Sequence, residues 1–189
     1  APPHARLVAV VVGLFGSDAA VTEAARITCD PDVEGRIYRT FRFGDLADLI
    51  MIDTRLWGRD PQLSMNDEEG HADPARSLLG TDQEAWLADQ LEGSTAQWRL
   101  LGQQVMMAQW RGVGTLETPG PIFNADQWDG YGATRQRFFD TIIDNQLDNV
   151  VVLTGDIHSS WAMDLTPNPY DPEAFDPASG DGSIAVEFV

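Results

Sequence analysis

The stretch Val150-Val-Val-Leu-Thr-Gly-Asp-Ile-His-Ser-Ser-Trp161 carries the residues best suited to chemistry. An apolar run ends at Gly155, and Asp156 and His158 follow at once. Such a run reads as a buried strand, and open α/β sheets place their ligand sites beyond the carboxyl ends of strands. Gly155 would let the backbone turn sharply there without a Cβ clash. A carboxylate and an imidazole spaced as Asp-x-His suit a divalent or trivalent metal. A metal held in this way supports hydrolysis. The simpler reading is a turn in which Asp156 accepts backbone N–H groups and His158 is a solvated loop residue.

The elements that must position these groups alternate between strand and helix patterns. Strands are predicted over residues 7–14, 36–43, 48–53, 98–107, 150–154 and 183–189. The second and third read as a hairpin or as adjacent strands, with Gly44-Asp45 as a tight turn between them. Helices are predicted over 18–26, 81–93 and 133–147. Thr81-Asp-Gln-Glu84 has the form of a capping box. Trp86, Leu87 and Leu91 line one face of that helix, and Gly93 ends it. In the last helix, Phe138, Phe139, Ile142, Ile143 and Leu147 form a core stripe. That helix and the strand at 150–154 read as the second half of a βαβ unit. Residues 55–80 and 112–130 read as loops, and an irregular stretch as long as the second is usually functional.

Composition narrows the function further. The chain has 189 residues, 43% hydrophobic and 22% charged, which fits one globular domain. A chain of this size buries about 70% of its unfolded surface. The formal net charge of −18 argues against nucleic acid or an anionic membrane as partner. An anionic substrate would need local positive charge, which bound metal ions supply economically. The single cysteine, Cys29, excludes an intramolecular disulfide and reads as an inert thiol. The apolar run at residues 7–15 is too short to span a bilayer and reads as a core strand. Of the three histidines, His4 and His71 lie in unpatterned loop sequence.

Further segments join the Gly-Asp-x-His motif. They are Tyr38-Arg-Thr-Phe-Arg-Phe-Gly-Asp-Leu-Ala-Asp-Leu-Ile-Met-Ile-Asp-Thr-Arg55, Leu79-Gly-Thr-Asp-Gln-Glu-Ala-Trp-Leu87, and Asn124-Ala-Asp-Gln-Trp-Asp-Gly-Tyr131 followed by Arg135. In this order, with Val186-Glu-Phe-Val189 at the end, residues 36–189 resemble the alkaline phosphatase D family, the PhoD-like metallophosphatases. Residues 1–35 remain unassigned by these motifs. The resemblance implies an α/β calcineurin-like metallophosphoesterase fold, in which two sheets pack as an α+β sandwich with helices outside. It implies hydrolysis of small phosphate esters, monoesters and in some relatives diesters, with calcium and iron or another metal pair. It also implies a secreted, periplasmic or cell-surface location.

By the same resemblance, Asp156 matches a metal-ligand position. His158 matches a metal-ligand or phosphate-contact position, or orients a ligand from behind. Asn124, Trp128, Asp129 and Tyr131 fall in the loop beside the pocket. There Asn124, Trp128 and Tyr131 either contact substrate, or the two aromatics pin the loop while Asn124 and Asp129 cap turns. Arg55 either faces phosphate or pairs structurally with Asp53. Trp57, Trp86, Trp98 and Trp110 read as core or loop packing. The family's early ligand segments, Gly-Asp-x-x-Tyr and Gly-Asn-[His/Asp], do not occur in these 189 residues. Neither Gly16-Ser-Asp18, Gly44-Asp45 nor Cys29 replaces them. The chain also begins with Ala and stops inside an apolar run. The expectation is therefore an incomplete domain holding the later part of the fold, poorly active by itself. The alternative is a non-catalytic acidic domain of the same descent that binds metal or a partner. A serine hydrolase is disfavoured, since no Gly-x-Ser-x-Gly elbow is present.

Overall fold

Two neighbouring apolar runs pair as the sequence predicts. In the computed structural model, which describes residues 36–114, 120–155 and 157–189, strand β1 (Arg39–Phe43) pairs antiparallel with β2 (Ala47–Met51). Gly44 takes φ 57° in the turn between them, a conformation that glycine adopts without a Cβ penalty. The expected strand and helix near the amino terminus, Cys29 and Asp156 all lie outside the described residues.

Each later strand adds to the same sheet. β3 (Trp98–Gln103) lies parallel to β2, and β4 (Val150–Thr154) lies parallel to β3. β6 (Ala185–Phe188) is parallel to β4, and β5 (Ala162–Leu165) pairs antiparallel with β6 on its far side. The order is β1-β2-β3-β4-β6-β5, with parallel strands inside and an antiparallel strand at each edge. The fold is mixed α/β. Three helices accompany the sheet: α1 (Glu68–His71), α2 (Thr81–Gly93) and α3 (Gly132–Asp144). Between β3 and β4, α3 completes the expected βαβ unit.

Register explains the core. Ile50, Leu101 and Val152 lie side by side across β2, β3 and β4, each fully buried. They join Leu87 and Leu91 of α2 and Phe138, Phe139 and Ile142 of α3 in one cluster. The next residue along each strand points to the opposite face. There Met51, Leu100, Val151 and Leu153 are half-buried and Phe188 is exposed. This is the face a second sheet would cover in the implied sandwich; the described residues form a single sheet.

Several local expectations are corrected. Ile143 is exposed rather than in the α3 stripe, because the buried positions 135, 138, 139 and 142 already complete the i, i+3, i+4, i+7 spacing. The predicted strand over 98–107 stops at Gln103. The capping box does not form: Gly80 is the N-cap of α2 and no side chain caps the first turn. The Glu84 carboxylate is used across the helix pair instead. It accepts from Arg137 Nε at 2.5 Å and Nη2 at 2.8 Å, from Thr134 Oγ1 at 3.2 Å, and from the Ser77 hydroxyl. Burial pushes this carboxyl up, but the bonds from Arg137 and Ser77 and the charge of Arg137 outweigh it. Glu84 is therefore held below its ordinary value. A depressed carboxyl contributes stability above its unfolded pKa and loses that contribution as pH falls through the folded pKa. Urea midpoints are accordingly expected to fall in acid, below the ordinary carboxylate range. Glu84→Gln should flatten that slope, and an unchanged slope would count against the pair.

Gly80 also meets Gly58, and both have positive φ, 75° and 67°. A Cβ on Gly58 would lie 2.6 Å from the Leu79 carbonyl oxygen and 2.8 Å from Gly80 Cα. This backbone contact ties the loop after β2 to the start of α2. Gly58→Ala is expected to cost about 2 kcal/mol or more, from the left-handed backbone and the overpacking together. A urea titration checks this, and a loss below half that value would show that the loop relaxes.

Candidate functional site

β4 ends at Thr154, so Gly155 and His158 lie past the carboxyl end of its strand. Gly155 N donates to Gln103 O at 3.0 Å, and a Cβ on Gly155 would sit 3.1 Å from Gln104 O. The glycine therefore serves a close backbone approach rather than a sharp turn. The left-handed residue is His158, at φ 64°, uncommon for a side-chain-bearing residue and concentrated at functional turns.

An open cleft of about 560 Å³ lies here, lined by Arg55, Gln104, Asn124, Asp126, Ile157 and His158 among others. Arg55 follows β2, Gln104 follows β3, and Ile157 and His158 follow β4, so the cleft crosses three parallel strand ends. A groove of similar volume, about 570 Å³, runs between α2 and α3. Its walls are largely hydrocarbon from Leu87, Leu91 and Phe138, and the Glu84–Arg137 pair satisfies its charges. Of these two, the first brings an imidazole and a guanidinium together.

Arg55 does not pair with the carboxylate of Asp53. Asp53 Oδ1 accepts the backbone N–H of Arg55 and of Leu56, both at 2.9 Å, which closes the turn after β2. The Arg55 guanidinium instead reaches Asp126, Nη1 to Oδ2 at 2.8 Å. Arg59 takes the other oxygen of Asp126 at 2.5 Å. One carboxylate thus holds two arginines, which fixes the Arg55 guanidinium at the cleft.

The structure brings Arg55, Asn124 and His158 to the cleft, and it places Trp128 and Tyr131 behind it. Both aromatics are fully buried. Trp128 Nε1 donates to Gln103 Oε1 at 2.9 Å, and Tyr131 Oη donates to Asp60 O at 2.8 Å. These are the contacts of residues that pin a loop. Asn124 Oδ1 accepts from Asp126 N at 2.9 Å and so caps its own turn as well as lining the cleft. Asp129 caps no turn of its own. It accepts from Arg135 Nη1 at 2.7 Å and from Trp110 N at 2.8 Å, in a buried ion pair. The loop is also less irregular than expected. Arg111 bridges Ile122, Trp110 stacks on Phe123 at 4.3 Å, and Trp128–Tyr131 form a 3₁₀ turn. His71, expected in unpatterned loop, ends α1 and is buried.

The sequence reading missed Glu187. This residue is fully buried and lies in the cross-strand row of Ile50, Leu101 and Val152. Its Oε1 accepts from Met107 N at 2.8 Å, Thr154 Oγ1 at 2.5 Å and Gln103 Nε2 at 3.3 Å; its Oε2 accepts from Ala108 N at 2.7 Å. Burial raises the pKa of this carboxyl, and the hydrogen bonds offset only part of that. The available signal was a glutamate inside the apolar run Ile184-Ala-Val-Glu-Phe-Val189, since charged residues are rarely fully buried unless partnered.

A metal would draw on His158 and on Asp156. Among the described residues no group of three or more His, Cys, Asp or Glu side chains comes together, and Asp126 is engaged by two arginines. The described donors thus fit part of a metal shell and do not complete one. No helix among the described residues is long and apolar enough to cross a membrane.

Comparison with known proteins points to one family. A family model described as PhoD-like phosphatase matches residues 22–189. Alkaline phosphatase D of Bacillus subtilis (strain 168) is 44% identical over 139 residues, which cover 71% of this chain and 23% of that protein. A solved structure described as the structure of PhoD superposes with a TM-score of 0.68 at 38% identity, covering 90% of this chain and 33% of that one. The chain therefore spans about a quarter to a third of the length of these relatives.

Proposed function

The chain belongs to the PhoD-like phosphatase family, and from that premise we propose that the protein hydrolyses phosphoric esters at the cleft that joins Arg55, Asn124 and His158. The observation that carries this reading is the convergence of an imidazole and an anchored guanidinium at the ends of three parallel strands. In this role Arg55 attracts and orients the anionic phosphoryl group. Asp126 fixes the guanidinium, which lowers the entropy lost when substrate binds. Asn124 holds the loop wall beside Arg55 through its bond to Asp126 N. Trp128 and Tyr131 act from behind, keeping that wall in place.

Metal dependence belongs to the same proposal. His158 would hold a metal ion through its imidazole and Asp156 through its carboxylate, with calcium and iron as the ions implied by the resemblance. Such an ion supplies a more acidic bound water and neutralises charge on the phosphoryl group. We read residues 36–189 as the later part of the metallophosphatase domain, with the cleft as its share of the catalytic centre. A small phosphate ester as substrate and an exported location complete the proposal.

The test uses the protein with its natural upstream sequence, assayed with p-nitrophenyl phosphate and bis(p-nitrophenyl) phosphate in the presence of Ca²⁺ and Fe³⁺. Metal-dependent release of p-nitrophenol that is lost in Asp156→Ala supports the reading. Absence of metal-dependent turnover sinks it, and calorimetric Ca²⁺ binding without hydrolysis would favour the non-catalytic alternative.

A further inference from the structure

We propose that Glu187 is a positioning residue that sets both walls of the cleft from beneath, an inference that rests on the functional reading of that cleft. The geometry singles it out. One carboxylate with no exposed surface sits on β6, within the row of apolar core side chains, and accepts from four donors. Those donors belong to two different walls. Met107 N and Ala108 N lie just beyond Gln104 and Val105, the wall that follows β3. Thr154 is the last residue of β4, directly before Gly155, and leads to Ile157 and His158 on the other wall. Gln103 links the two sides, donating to Thr154 Oγ1 at 2.7 Å while its own oxygen accepts from Trp128.

The donor count makes the carboxylate specific. All four partners present hydrogens, so the side chain must accept at both oxygens. A glutamine would offer one acceptor and one amide NH₂. Whichever way the amide is turned, its NH₂ faces a backbone N–H, either Ala108 or Met107. A buried donor set against a donor loses its bond and its solvation together. The strand end and the loop after β3 then lose their common anchor, although the apolar core around them keeps its volume. Catalytic geometry tolerates little looseness of this kind.

The experiment compares Glu187→Gln with Leu87→Ala, a core substitution on α2 that lowers stability without touching the cleft network. Both are measured well below their unfolding transitions. For Glu187→Gln, kcat for p-nitrophenyl phosphate should fall about tenfold or more while KM changes less than about twofold, the pattern of lost transition-state alignment. Leu87→Ala should leave kcat unchanged. Native-state amide exchange supplies a readout independent of activity. The Gly155 N–H, which Glu187 does not touch, should exchange about tenfold faster in Glu187→Gln than in Leu87→Ala, while amides of β2 behave alike in both. Equal exchange at Gly155 in the two variants overturns the proposal, as does full activity in Glu187→Gln. Accelerated exchange at Gly155 in Glu187→Gln, together with an unsubstituted protein that hydrolyses no ester, would leave the positioning inference standing and the phosphatase reading refuted.

Discussion

Replacing Asp156 with alanine lowers kcat/KM for p-nitrophenyl phosphate about a thousandfold, if a metal held there supplies several kcal/mol of transition-state stabilisation at 1.36 kcal/mol per tenfold. Thermal stability should barely move, because the buried core is built from apolar side chains that the substitution leaves intact. Asp156→Asn separates charge from shape: it keeps the side-chain volume but removes the anionic donor, and should fall nearly as far. His158→Ala should cost less, about a hundredfold, because it removes a neutral ligand and leaves the charged Asp156 donor for the ion. The ordering of these variants is the informative result. A loss below about tenfold in Asp156→Ala would return the motif to the turn reading.

The largest effect on stability is expected at Asp129. Its side chain is 3% exposed and that of its partner Arg135 is 8% exposed. Asp129→Ala strands a buried guanidinium and removes the acceptor of Trp110 N–H. Breaking a buried pair from one side costs about 3–5 kcal/mol. For a chain of this size that corresponds to a fall in Tm of roughly 6–20 °C. Removing both charges, as in Asp129→Ala with Arg135→Leu, should recover part of the loss, because no uncompensated charge remains. Differential scanning calorimetry of the three variants gives the coupling. A single-variant cost below about 1 kcal/mol would show that water reaches the pair as it does at exposed ion pairs.

Legibility from sequence tracked how local each interaction is. β4 was read with its observed bounds because five consecutive Val, Leu and Thr residues carry their own signal. The β1–β2 hairpin was legible for a similar reason, with alternation on one side and a glycine turn between. β5 was not predicted. Its sequence Ala-Met-Asp-Leu buries only Leu165, so an edge strand of four residues shows neither a continuous run nor a clean alternation. The capping box failed because Glu84 had a better partner, Arg137, 53 positions away.

The site divides in the same way. The Gly-Asp-x-His motif announces its strand end, and the structure brings His158, Arg55 and Asn124 to one cleft. Sequence could not tell that Arg55 would choose Asp126, 71 positions distant, over Asp53. It could not tell that Trp128 and Tyr131 would turn inward, since an aromatic next to a glycine fits a pocket rim or a core equally well. Glu187 depends on partners 33 to 84 positions upstream. Only the strand order makes those residues neighbours.

That strand order also carries a consequence in time. Of the six described strands β6 is synthesised after the other five, yet it inserts between β4 and β5. A nascent chain that has emitted Thr154 must wait for Glu187, 33 residues later, which at 5–20 residues per second is about 2–7 seconds. During that interval β4 presents an unpaired edge, and β5 has emerged ahead of the strand it will pair with. Such an edge is open to strands from other chains. The carboxylate that aligns the cleft and the strand that closes this gap arrive in the same four residues, so the cleft walls are tied together in the same event that fills the sheet.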